Sequence, residues 1–145
     1  MNAEVQRPVT AACTMRLHLP QSYVYIPVDA FLHYSQQDPY AVRVTFQNGT
    51  EGDPIVWYMG RDLIRDGLSR PTGEGDIQII PDPELSAIVI SLSVDDKSAT
   101  LTARRQPVES FLRRTAEAVP YGGESDALEF VIQREAALAR LLAGN

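Results

Sequence analysis

The feature that most constrains this chain is a change of hydrophobic period near Pro107. Before it, apolar residues recur every second position, and after it they recur every third or fourth. Met15, Leu17 and Leu19 alternate with Thr14, Arg16 and His18, which predicts a strand over 13–19 with one face inward. Val42, Val44 and Phe46 alternate with Arg43 and Thr45, ahead of an Asn48-Gly49 pair suited to a hairpin turn. Residues 55–59 are expected to pair antiparallel with 42–46 across that turn, while 22–26, between Pro20 and Pro27, read as a further β segment bounded by breakers or edge positions. Residues 77–80, 87–92 and 99–103 supply three more strands, joined by Pro81-Asp82-Pro83 and by Asp95-Asp96-Lys97-Ser98.

Pro107 suits the first turn of a helix, and Val108, Phe111, Leu112 and Thr115 follow at helical spacing until Pro120 stops it. Asp126, with Glu129 three residues on, predicts the cap of a last helix. Its apolar face carries Leu128, Val131, Leu138 and Leu142 and needs either the core or another subunit to cover it. Strands first and helices last predict an α+β fold and not an alternating parallel sheet. At 145 residues and 44% hydrophobic content, one domain over 1–145 suffices, strand-rich over 13–105 and helical over 107–143.

A formal net charge of −6 weighs against a broad grip on nucleic acid or anionic lipid. No apolar run approaches the roughly 20 residues of a membrane helix. One cysteine, Cys13, and an N-terminus without an apolar export region lead to the expectation of a cytoplasmic protein.

The search for chemistry leaves little. Cys13, His18 and His33 lack metal-ligand spacing, so no metal or other cofactor is expected. His18 reads as a solvated strand residue and His33 as a partly buried one, which leaves no base for a nucleophile. Asp95-Asp96 and Asp53 beside Glu51 sit in turns, where such side chains bond the local backbone. The loop Pro71-Thr72-Gly73-Glu74-Gly75-Asp76 lacks the Gly-Lys-Ser/Thr of a phosphate loop, and its carboxylates would repel a phosphate. Arg61 and Asp62 flank a short helix anchored by Leu63, Ile64 and Leu68, with the charges facing out or paired locally. Trp57 and Tyr58 point to opposite sheet faces. Arg104-Arg105 and Arg113-Arg114 form a basic cluster at the junction of sheet and helices. What remains is an interaction protein.

Several stretches carry a resemblance. Asp38-Pro39-Tyr40-Ala41-Val42, Trp57 with Arg61-Asp62-Leu63 and Gly67-Leu68, the loop 71–76, Phe111-Leu112-Arg113-Arg114-Thr115, Val119-Pro120 and Gly122-Gly123-Glu124 occur in one order. Together they resemble the SsgA-like family of sporulation and cell-division proteins of mycelial actinomycetes, over nearly the whole chain. Tyr58-Met59-Gly60 departs from the bulkier aromatic and alanine that the family pattern places before Arg61-Asp62.

The resemblance implies a non-enzymatic adaptor that helps recruit the tubulin-like protein FtsZ to sporulation septum sites, together with an SsgA-type paralogue. It also implies twisted antiparallel sheets of the whirly and guide-RNA-binding kind, C-terminal helices, and self-association with a trimer favoured. Localisation at the septum, with indirect membrane association, follows from that role. Trp57, Arg61, Asp62, Gly73, Glu74, Gly75 and Asp76 are then the candidate partner-contact residues. Single-stranded nucleic-acid binding is the alternative that the whirly likeness raises by fold analogy, and the chain's charge opposes it.

Overall fold

The computed structural model describes residues 7–47 and 52–144. The Asn48-Gly49 turn and Glu51 lie outside the described residues. Seven strands come first: β1 (Val9–His18), β2 (Tyr25–Ser35), β3 (Asp38–Gln47), β4 (Ile55–Gly60), β5 (Ile77–Asp82), β6 (Ala87–Val94) and β7 (Lys97–Arg104). The helix α1 (Arg61–Gly67) separates β4 from β5, and α2 (Arg105–Ala118) and α3 (Glu124–Leu142) close the chain. The fold is α+β, and its strands form one sheet with the order β4-β3-β2-β1-β7-β6-β5, every neighbouring pair antiparallel.

The sheet curls into a half-barrel whose edge strands, β4 and β5, do not pair with each other. Helix α1 spans that gap, packing against both edges. Gly67 makes its approach possible: a Cβ there would collide with the Ile79 side chain on β5. Alternation places Met15, Val42, Val44, Ile88, Ile90 and Leu101 on the concave face, where Val108, Phe111 and Leu112 of α2 join the same core and Val108 and Phe111 lie close to Met15, Val44, Ile88 and Ile90. Both periods read from the sequence therefore converge on one core.

β2 is longer than its sequence suggests. Val28, Ala30, Leu32 and Tyr34 alternate inward, but the apolar Phe31 on the outer face blurs the period and Pro27 reads as a stop. Pro27 instead sits inside the strand opposite Arg16, two residues before the described pairing with β3 begins at Asp29. A proline is tolerated there because no described residue of β3 pairs with it, and a position without a ladder hydrogen bond does not need the missing N–H.

His18 is not simply solvated. Its Nε2 lies 2.7 Å from Thr102 Oγ1 and its ring meets the edge of Tyr25. Asp126 does not cap α3: Gly123 occupies the cap position without a side-chain bond, and Asp126 lies in the first turn. The carboxylate that holds this end is Glu124, whose partner is remote in sequence.

Candidate interaction surface

Arg61 is where the remote segments meet. It opens α1 directly after β4, and its side chain is fully buried and not, as the sequence suggested, on the surface. Helix α2 ends at Ala118, because Pro120 holds Val119 in extended backbone, and its last carbonyls need donors. Arg61 Nη1 donates to the Thr115 carbonyl at 3.2 Å and the Val119 carbonyl at 2.6 Å, while Nη2 donates to Glu124 Oε2 at 2.6 Å. One cation thus serves the negative end of α2 and pairs with a carboxylate in the first turn of α3, both favourable with respect to the helix dipoles.

Two aromatic rings lie close to this charge. The guanidinium carbon lies 4.8 Å from the Tyr34 ring centroid and 4.3 Å from that of Tyr121. The Tyr34 hydroxyl donates to the Pro39 carbonyl at 2.9 Å, so the Asp38-Pro39-Tyr40 segment is fastened to the same centre. Burial pushes the Tyr34 phenol up to about 12. The hydrogen bond from Arg61 holds the Glu124 carboxyl below its ordinary range, and the Gly122 N–H donates to its other oxygen at 2.9 Å.

Above this buried centre lies an ionic surface. Asp62 is exposed, and Arg65 reaches it at 3.6 Å and Asp66 at 3.1 Å. Arg70 reaches Asp66 at 3.4 Å, and Arg65 also stacks on Tyr121. The loop 71–76 borders this helix. Thr72 pairs through both backbone groups with Ile79, and Gly73 adopts φ +105° against Leu63 of α1. A Cβ at Gly73 would run into the Ile77 carbonyl oxygen, so the glycine is required by both dihedral angle and space. Glu74, Gly75 and Asp76 are exposed beside it, and the Asp76 carbonyl accepts from Ser93 N–H at 2.8 Å.

The predicted residues therefore separate into several places. Arg61, beneath the surface, and Asp62 lie at the start of α1, and Gly73 packs against Leu63 of that helix. Glu74, Gly75 and Asp76 run on to the start of β5, where Asp76 bonds Ser93 beside Val94, at the same end of the sheet as Trp57. Trp57 lies at the other end of β4, half-buried in an apolar pocket, while Tyr58 points to the opposite face and is exposed. On α3, Leu128 and Val131 are partly buried, but every described residue after Arg134 is exposed, Leu138 and Leu142 included. The core covers only the first half of that helix. The expected basic cluster is dispersed: Arg105 bonds the Leu68 carbonyl and pairs with Glu109, and Arg114 bonds the Thr10 carbonyl.

Sequence reading missed Tyr34, Thr115, Tyr121 and Glu124 as members of the Arg61 centre. The available signal was the Pro120-Tyr121-Gly122-Gly123-Glu124 turn, which concentrates special backbone residues between two helices. Among the described residues no group of three His, Cys, Asp or Glu side chains is placed to hold a metal, and no helix is long and apolar enough to cross a membrane.

The comparisons with known proteins agree with one another. Residues 28–124 match the family described as Streptomyces sporulation and cell division protein, SsgA. The sporulation-specific cell division protein SsgB of Frankia casuarinae is 38% identical over 139 residues, covering 94% of this chain and 93% of that protein. Its Streptomyces coelicolor counterpart is 42% identical over 118 residues, with 79% and 85% covered. The solved structure of an SsgA-like sporulation-specific cell division protein from Thermobifida fusca superposes with a TM-score of 0.82 at 35% identity, covering 94% of this chain and 98% of that one. With a family match across most of the strand-rich region and relatives that align nearly end to end, this chain belongs to the SsgA family of sporulation and cell-division proteins.

Proposed function

We propose that this chain is a non-enzymatic adaptor that helps recruit FtsZ to sporulation septum sites in the cytoplasm, acting with an SsgA-type paralogue. The observation that carries this reading is the near end-to-end relation to proteins named SsgB. Exposed carboxylates support it as contacts: Asp62 stands on the framework that Arg61 fixes, and Glu74 and Asp76 are exposed on the loop that leads from α1 to β5. Rigid support of this kind lowers the ordering cost of binding. Arg61 and Gly73 act by positioning, and Asp62, Glu74 and Asp76 by contact. Self-association through the uncovered half of α3, with a trimer favoured, would bring several copies of that surface together and raise avidity for a polymer. Membrane association is then indirect, through the septal machinery.

Co-sedimentation with FtsZ from the same organism tests the reading. The chain is expected in the pellet with GTP-dependent polymers and in the supernatant with GDP. The Asp62→Lys variant is expected to reduce transfer. A folded chain that stays in the supernatant beside confirmed polymers overturns direct recruitment.

A further inference from the structure

Among the described residues, no helix closes the end of the half-barrel away from Arg61. Between β3–β4 on one side and β6–β7 on the other lies an apolar cavity of about 330 Å³, at the lower end of the roughly 300–1,000 Å³ typical of ligand clefts. Leu17, Phe46, Trp57, Leu92 and Leu101 line it. Helices α1 and α2 contribute no residue to its lining, and Ile55 and Val94 at its mouth are 61% and 51% exposed. The sequence offers no reason for an unfilled cavity here, because large apolar side chains point into it from both walls.

The charge around the mouth says what fits. Asp53 and Lys97 belong to the lining, and the turn between Val94 and Lys97 consists of Asp95 and Asp96, both exposed. Among the described residues, three carboxylates and one ammonium thus lie in the lining or in the turn that adjoins it, on a chain whose formal net charge is −6. An anionic amphiphile would enter against that field, whereas a basic segment with an apolar centre would enter with it.

We propose that this open end is a docking site for an extended basic peptide segment of a partner protein, which inserts one or two apolar side chains beside Trp57. The apolar anchor supplies the burial, and flanking lysine or arginine residues supply the selection and the rate of encounter. The site lies at the end of the sheet away from Arg61 and Asp62 and does not depend on the FtsZ reading, which co-sedimentation tests independently.

Trp57 is the only tryptophan in the chain, so its fluorescence reports on the cavity without a label. The probe is a nine-residue peptide with Leu-Phe-Leu at its centre and lysine or arginine at the other positions. Titration is expected to give a saturable shift of Trp57 emission. The same peptide with glutamate flanks is expected to bind at least about tenfold more weakly. Ala99→Phe, which fills the cavity from β7, is expected to abolish binding with the circular dichroism unchanged. Ile55→Lys, at an exposed position that leaves the core intact, is expected to weaken it and serves should Ala99→Phe fail to fold. No saturable response, equal binding of the glutamate peptide, or wild-type binding by Ile55→Lys overturns the proposal. Saturation by laurate without saturation by the basic peptide also overturns it, in favour of an acyl-chain site.

Discussion

The two ends of the half-barrel are built on opposite terms. At the α1 end, a fully buried arginine joins one edge of the sheet to the ends of two helices, and the side chains of Tyr34, Tyr121 and Glu124 gather around it. At the Trp57 end, apolar side chains from both walls face a cavity that no described helix enters. The lesson concerns division of labour within one core. A buried cation is tolerable only where every neighbour is fixed to serve it, which makes that end rigid and costly to alter. An apolar cavity demands nothing of its neighbours and leaves room for an incoming group.

The sharpest way to break this comparison is Arg61→Met. It leaves Glu124 buried without its partner and strips donors from the Thr115 and Val119 carbonyls, so a loss of about 3–5 kcal/mol is expected in urea unfolding. Combining it with Glu124→Gln should return part of that loss, because the unpaired charge is removed too. Retention of wild-type stability by Arg61→Met would mean that the buried pair does not hold the helices.

The pH dependence follows from the same pair. The folded-state pKa of Glu124 is depressed from its ordinary 4.5. Its stabilisation is therefore fully present above that value and is lost as the pH falls through the lower folded one. Urea midpoints of wild type and Glu124→Gln should converge on acidification. A gap that stays constant below the carboxylate range would contradict the assignment.

Gly73→Ala tests the loop beside α1. The positive φ and the collision with the Ile77 carbonyl should cost about 1–3 kcal/mol, with the near-ultraviolet dichroism of the cavity tryptophan largely preserved. At the open end, the double change Ile55→Ser and Val94→Ser should cost no more than about 1 kcal/mol, because both side chains are already half-exposed or more. A larger loss there would show that the mouth is structural.

The smallest effect on the fold is expected from Leu138→Ser with Leu142→Ser on the uncovered half of α3. Stability of the monomer should change by less than about 0.5 kcal/mol. Sedimentation velocity should register the loss of any assembly that this face supports. An oligomer unaffected by both changes would place the subunit contact elsewhere.

Much of the framework was legible because short-range periodicity carries it. The alternation in 42–46 and the helical spacing of Val108, Phe111 and Leu112 each report which face a residue shows, and the structure buries those faces together. β2 was obscured by local signals: Phe31 breaks the pattern on the outer face, and Pro27 looks like a terminus until its pairing is known. The site was less legible than the fold. Asp62 and the loop 71–76 could be located as exposed turn-and-helix residues, but Arg61 has the same local pattern as any solvated helix-starting arginine.

By itself, the sequence determined that strands come first and helices last, and the family to which the chain belongs, since local period and ordered motifs are properties of neighbours along the chain. Only the tertiary structure decided that Arg61 lies inside, that Glu124 is its partner, and that an apolar cavity stands at the other end of the sheet. Arg61 and Glu124 stand 63 positions apart. Whether a charge is buried or solvated depends on what the rest of the chain brings to it, and no periodicity encodes that.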